Sequence, residues 1–316
     1  MVHRHVAVIG CGVIGLASAI RLQEQGYRVT IFAREFPPDT TSNTAAAFWF
    51  TYCAAPPERT IPWSRTSFLK YQKLASIPES GVSFQTLRIF FADKNPGLTW
   101  ADGAVGEVLQ EIPPIDGRFA QGFKLKIPLI ETPRYMEFLW KIFLKGGGRI
   151  DRRRIPSILG INKQYSLIVN CSGLGARELV NDETVFAIRG QVVRVRKPPN
   201  ISPDIILGLE QAHTTYIVPR EADCILGGTA EEHDWTIEPC EETTHSILRR
   251  CASLFPAFKN PEILEVKVGL RPGRKEVRFE HEELPNGRLL IHNYGHGGAG
   301  FTLCWGCADE ICTLLA

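Results

Sequence analysis

The sequence is short of several features that would narrow its function. It has no run of about 20 apolar residues, so it carries no membrane span and no membrane partner is expected. It has little net charge, +2 from 36 basic and 34 acidic residues, which argues against nucleic acid or an acidic surface as partner. The run Arg152-Arg153-Arg154 is short and isolated and reads as a solvated face. The nine cysteines are scattered and odd in number. They form no disulfide framework and suit reduced thiols and a cytoplasmic location. Cys304 and Cys307 have CxxC spacing but no second pair or histidine pair beside them, so they read as part of a packed helix rather than a metal site. No internal repeat, low-complexity tract, Ser-His-Asp set or paired-carboxylate set is evident. The basic, apolar start reads as a structural strand and helix rather than a signal peptide. The terminal "CTLLA" is no SKL-type peroxisomal address.

What is present fits a soluble globular protein of 316 residues, 44% hydrophobic and 22% charged. That length favours two subdomains over one core. "HVAVIG" predicts a strand, "CGVIGLASAIRLQEQG" a helix and "YRVTIFA" a second strand, together one βαβ unit. "WSRTSFLKYQKLAS" and "TPRYMEFLWKIFLKGG" predict helices, the second capped by Thr132 with Pro133 in its first turn. "RIDRR" and "YSLIVNCSG" read as further parallel strands of the first sheet. "VSFQTLRIFFA" and "GRFAQGFKLKIP" also read as strands. "FAIRGQVVRVRK", "HTTYIVP", "DCILGGTA", "EILEVKVGLRP" and "RLLIHNY" read as strands of mainly antiparallel type. A helix over "CEETTHSILRRCASLFP" lies between them, and a last helix begins near Gly300.

The expected fold class is α/β. A Rossmann-like dinucleotide domain is assembled from discontinuous segments, 1–55, 129–184 and 272–316. A mainly antiparallel β substrate-binding domain takes 56–128 and 185–271.

Gly10-x-Gly12-x-x-Gly15 follows a strand and opens a helix. Gly10 permits the tight turn, Gly12 lets backbone approach a diphosphate, and Gly15 lets helix and strand pack closely. The phosphates then meet free N–H groups at the positive end of the helix dipole. Glu35 lies 20 residues after Gly15, where a carboxylate accepts from a ribose diol. Arg34 beside it would suit the 2′-phosphate of NADP, but Glu35 would repel that phosphate. The pair therefore points to FAD or NAD. "TTSNTAAAF" supplies hydroxyls and small side chains, "VNCSGLGAR" ends a strand in a second glycine turn, and "HNYGHGGAG" is a third. Three glycine turns from three segments suit one long extended cofactor.

The segments "VAVIGCGVIGL", "TTSNTAAAFW", "VNCSGLGAR", "RGQVVRV", "TYIVP", "ILGGT", "VGLRPGR" and "HNYGHGGAG" resemble the D-amino-acid oxidase family, which includes D-aspartate oxidase, over nearly the whole chain. The resemblance implies non-covalent FAD and a homodimer. It places FAD contacts on Gly10, Gly12, Val13, Ile14, Gly15, Arg34, Glu35, Thr41, Ser42, Ala46, Ala47 and Phe48. Further contacts fall on Ile155, Ser172, Gly173, Gly297, Gly298, Ala299, Gly300, Phe301 and Thr302. It implies that Arg271 clamps the substrate carboxylate through a bidentate fork, that Tyr216 donates to the same group, and that the Gly298 carbonyl takes the amine. Phe48, Trp49, Phe50 and Tyr52 would line the side-chain pocket. The implied reaction removes the Cα hydrogen as hydride to flavin. Hydrolysis then gives a 2-oxo acid and ammonia, and O₂ is reduced to hydrogen peroxide.

The chain departs from the family at two places. Ala212 stands where some members carry a lid tyrosine, and "LGLEQAHTTY" is short for a lid. Ala230 stands after "GGT", where D-aspartate oxidases carry an arginine for the acidic side chain. An unpaired buried carboxylate is costly, so the expectation is neutral D-amino acids with apolar side chains, with Arg220 and His213 as the remaining cation candidates. D-aspartate oxidase, an oxidase of glycine or N-methyl amino acids, an NAD(P)-dependent dehydrogenase and a catalytically silent FAD-binding protein are the alternatives.

Overall fold

The opening residues His5–Ile9 are apolar and buried apart from the first, as a central strand requires. The computed structural model describes residues 5–51, 54–199 and 201–316. β1 (His5–Ile9) and β2 (Arg28–Ala33) pair in parallel, and the helix α1 (Val13–Glu24) makes the crossover. α1 buries Val13, Leu16, Ala17 and Ile20 at helical spacing. One turn, α2 (Thr41–Thr44), precedes α3 (Pro57–Leu74). β3 (Val82–Phe91) and β4 (Gln110–Ile112) each pair antiparallel with β5 (Gln121–Ile130), outside the first sheet.

The chain then returns to the first sheet. α4 (Thr132–Lys145) leads to β6 (Arg149–Arg152), which pairs in parallel with β2, and to β7 (Tyr165–Asn170), which pairs in parallel with β1. Thr132 does not cap α4. The N-cap is Glu131, and the Thr132 hydroxyl instead donates to the carbonyl of Ala45 at 3.1 Å, tying the helix start to the segment after α2.

After the short helix α5 (Ala176–Leu179), the chain forms β8 (Phe186–Arg196), β9 (Ile205–Leu209), β10 (Thr214–Pro219), β11 (Asp223–Gly227) and β12 (Glu231–Glu232). α6 (Glu241–Leu254) and β13 (Ile263–Gly273) complete this region. β14 (Arg278–Glu283), β15 (Leu289–Tyr294) and α7 (Gly300–Leu314) close the chain.

Two sheets result. One runs β14-β15-β7-β1-β2-β6; the other runs β12-β8-β11-β10-β9-β3-β5-β4, with β13 also on β8. Within the second sheet only β3–β9 is parallel among the described pairings, so the mainly antiparallel expectation holds. β15, expected to be of antiparallel type, belongs to the first sheet and pairs in parallel with β7; its other edge pairs antiparallel with β14.

α7 packs against α1 and α3. A Cβ at Gly306 would lie 2.2 Å from the Trp63 Cα, so only glycine permits this approach of α7 to α3. Cys304 and Cys307 lie fully buried on α7, and burial pushes the Cys304 thiol up to about 12. Both are protonated packing groups.

Candidate functional site

The turn after β1 is shaped by close contact. Gly10 has φ +105°, and a Cβ there would lie 2.3 Å from the Cys171 carbonyl oxygen at the end of β7. A Cβ at Gly15 would lie 2.0 Å from the Gly10 carbonyl oxygen. Both positions therefore admit only glycine, and Gly15 acts by letting α1 sit close on β1. Ser42 Oγ accepts from the Val13 N–H at 2.9 Å, so the segment after β2 is clamped to the first residue of α1.

These elements wall an elongated cavity of about 1150 Å³, ample for a dinucleotide-sized ligand. One end carries Arg34 and Glu35, joined by an ion pair of 2.8 Å, with Arg153, Arg154 and Ile155 nearby on the wall. All three residues of the Arg152 run are exposed, as a solvated face would be, yet Arg153 and Arg154 also border the cavity. The middle is lined by Gly10, Gly12, Val13 and Ile14, by Thr41, Ser42, Ala46 and Ala47, and by Ser172 and Gly173. The other end holds Phe48, Phe50, Tyr216, Arg271, Gly297, Gly298, Gly300 and Phe301.

Five expected residues stand differently, Trp49 among them. Gly15 is off the cavity wall for the packing reason above. Ala299 is fully buried behind the last glycine turn. Thr302 is also off the wall: its Oγ1 accepts from the Phe50 N–H at 3.0 Å and donates to the Phe50 carbonyl at 2.8 Å. Tyr52 lies outside the described residues.

At the far end, β13 carries Arg271 opposite Ile188 of β8. The guanidinium lies flat over Gly190, where a Cβ would come within 2.4 Å of its nitrogens. Its Nη1 donates to the Thr229 carbonyl at 3.1 Å, and it takes part in no ion pair among the described residues. A cation lining a cavity without a carboxylate partner is a receptor for an anion. The Tyr216 ring on β10 rests over Gly227 and Gly228, where a Cβ would meet it at 2.1 and 2.7 Å. Burial pushes its hydroxyl above the usual phenol value against the pull of Arg271, so Tyr216 stays a neutral donor.

The aromatic run divides between two surroundings. Phe48 meets Tyr216 at 6.3 Å between ring centroids, and Phe50 meets Trp100 at 5.1 Å. Trp49 does not line the cavity. It is fully buried toward α3, stacks edge-on with Phe68 and donates to the Ser64 carbonyl at 3.1 Å. The connection from β9 to β10 is a four-residue turn, Glu210 to His213, closed by a 3.0 Å hydrogen bond from the Glu210 N–H. Ala212 lies in this turn, which is too short to fold over the cavity.

Sequence reasoning missed Asn293 and His296, both buried on the cavity wall within the "HNYGHGG" motif that otherwise drew attention to its glycines. Burial pushes the His296 imidazole down to about 3, so it is neutral. Trp235 and Ile237, exposed apolar residues beside the cavity, also gave no periodic signal.

The fold and the cavity fit a dinucleotide-dependent enzyme, with the Arg271 guanidinium on the cavity wall. Residues 5–314 match the family model described as FAD dependent oxidoreductase. A D-amino-acid oxidase of Rubrobacter xylanophilus is 43% identical over 97% of this chain and 94% of its own length. Human D-aspartate oxidase is 34% identical over 98% of this chain and 94% of its own length. The solved structure of glycine oxidase from Bacillus cereus superposes with a TM-score of 0.79 at 20% identity, covering 99% of this chain and 94% of that one, a likeness of fold. The chain belongs to the D-amino-acid oxidase family of FAD-dependent oxidoreductases.

The residues present fit FAD. The cavity wall carries the Glu35 carboxylate and the Arg271 guanidinium, includes the first glycine turn, where Gly10 has no room for a side chain, and presents the N-terminus of α1 to a diphosphate.

Proposed function

We propose that the protein oxidises D-amino acids with neutral, apolar side chains to 2-oxo acids, ammonia and hydrogen peroxide, with FAD as cofactor and O₂ as acceptor. The observation that carries this reading is the pair Arg271 and Tyr216, an anion clamp and a neutral donor set at one end of a glycine-walled cavity. FAD, when bound, supplies the two-electron acceptor that O₂ regenerates. Arg271 holds the substrate carboxylate by its fork and Tyr216 donates a second hydrogen bond, which fixes the Cα for reaction. The Gly298 carbonyl accepts from the substrate amine. Water then hydrolyses the released imino acid. The D configuration is supported by the relatives' names, since several curated relatives at 33–43% identity are D-amino-acid oxidases.

The side-chain preference rests on which cations reach the cavity end. Arg220 is buried in a two-bond pair with Asp223, at 2.7 and 3.0 Å, and is not on the cavity wall. His213 is exposed in the turn before β10. Arg250, next to this region, spends its donors on Thr215, Ser246 and the Gly228 carbonyl. The walls there are Phe48 and Phe50. D-Aspartate would bury a second carboxylate with no partner, a cost of several kcal/mol. The test is kcat/KM for D-valine, D-leucine, D-phenylalanine and D-aspartate at one pH. D-Aspartate should rank last, and its ranking first would overturn the preference. A homodimer and a cytoplasmic location complete the proposal. All cysteines among the described residues are free, which suits a reducing compartment, and equilibrium sedimentation tests the dimer.

A further inference from the structure

Residues 228–230, between β11 and β12, lie outside the strands. Arg271 nevertheless leans on them, since its Nη1 donates to the Thr229 carbonyl. Without a ladder, this segment takes its place from the individual groups that bond it. The Gly228 N–H donates to the Thr214 carbonyl at 3.0 Å. The Thr229 hydroxyl accepts from the Gln191 N–H at 3.0 Å and donates to Glu231 Oε2 at 2.9 Å. Arg250, on α6 and off the cavity wall, donates through Nη2 to the Gly228 carbonyl at 2.9 Å. Two guanidinium groups therefore hold consecutive carbonyls, Arg250 that of Gly228 and Arg271 that of Thr229.

The same Arg250 group reaches β10, where its Nε donates to Thr215 Oγ1 at 3.2 Å. Thr215 is buried and precedes Tyr216. Strand alternation turns the two side chains to opposite faces, Thr215 toward α6 and Tyr216 to the cavity. The Tyr216 ring in turn rests on Gly227 and Gly228. Arg250 thus ties the backbone beneath Tyr216 to the backbone that Arg271 grips. Nε and Nη2 share one rigid edge, which lets a single side chain span both partners. The placement is costly: Arg250 is half-buried, burial opposes its charge, and it makes no ion pair among the described residues.

We infer that Arg250 is a positioning residue for the substrate clamp: it fixes Gly228 against Thr215, so that Thr229 aims Arg271 and Gly228 seats Tyr216. The inference rests on the reading of Arg271 and Tyr216 as the carboxylate clamp. Arg250 acts through them and does not touch the substrate.

The test is a double-mutant cycle on flavin-loaded protein, read as kcat/KM for D-leucine. Arg250→Met keeps the stem and removes the donors, and should lower kcat/KM about fivefold, the scale of one hydrogen bond. It should also raise by a similar factor the Kd of 4-methylpentanoate, the leucine skeleton without its amine, followed through the visible flavin band. In an Arg271→Leu background the same change should cost only about twofold, through Tyr216 alone. A purely structural role would cost the same factor in both backgrounds. Arg250→Lys keeps the charge but cannot bridge both partners, so its kcat/KM should lie between those of wild type and Arg250→Met. It takes the place of methionine in the cycle should that variant not fold. An unchanged kcat/KM in the Arg250 variant, or an equal loss in both backgrounds, overturns the inference alone. An Arg271→Leu protein with unchanged kcat/KM overturns the clamp reading and the inference with it.

Discussion

The Tyr294 hydroxyl donates to Asp182 Oδ2 at 2.8 Å, joining residues 112 apart in sequence. Arg274 Nε reaches the same oxygen at 3.1 Å, and Arg278 Nη1 donates to the Tyr294 hydroxyl at 2.6 Å. Tyr294 lines the cavity and leads directly into the last glycine turn, so this cluster holds that turn against the segment after α5.

The cluster makes stability depend on pH. Burial opposes the Asp182 charge, but hydrogen bonds from Thr184 and Tyr294 and the Arg274 guanidinium outweigh it and bring the carboxyl from 3.8 down to about 2. A depressed carboxyl stabilises the folded state above its unfolded pKa. That contribution, about 2 kcal/mol, is lost as pH falls from about 4 toward 2. Asp182→Asn should be less stable than wild type by about that amount at neutral pH, with the gap narrowing on acidification. Denaturant unfolding of both proteins across this range checks it, and a gap independent of pH would contradict it.

On the proposed role, Arg271→Leu removes a charge-assisted bond to the substrate carboxylate, for which roughly 1.5–3 kcal/mol applies. kcat/KM should fall tenfold or more, by about the factor that energy implies, while flavin remains bound. Arg271→Lys should recover only part, because a point charge lacks the fork that lies over Gly190. Steady-state kinetics on flavin-loaded variants decide, and unchanged kinetics would remove Arg271 from the clamp.

Ala230 follows Thr229, whose carbonyl accepts from Arg271. An arginine at this position would set a second cation near the clamp. Ala230→Arg should raise kcat/KM for D-aspartate relative to D-valine by about tenfold, the worth of one charged hydrogen bond. A ratio that does not move would show that position 230 does not face the substrate side chain.

Much of this was legible in the residues. The spacing of Gly10, Gly12 and Gly15 after an apolar strand foretold the tight turn, and the Cβ contacts at Gly10 and Gly15 give its cause. The partner of β15 was not legible, because "RLLIHNY" carries burial but no mark of which strand it joins, and β7 lies more than 100 residues earlier. β14 was missed because four of its six residues are exposed and charged or polar, the usual guise of an edge strand. β9 was missed because "IILGL" is short and merges with the turn that follows. The inward turn of Trp49 depends on how the segment after α2 packs against α3, and the burial of Asn293 against Ser18 depends on how α1 packs on the first sheet. Both are set by packing, which spacing alone does not encode.

The most direct measurement is anaerobic mixing of the purified, flavin-loaded protein with the two enantiomers of leucine, followed by admission of O₂. The account predicts that D-leucine bleaches the visible flavin band, that O₂ restores it with release of hydrogen peroxide, and that L-leucine does neither. A yellow protein whose band neither enantiomer alters, or one bleached by L-leucine instead, would contradict it.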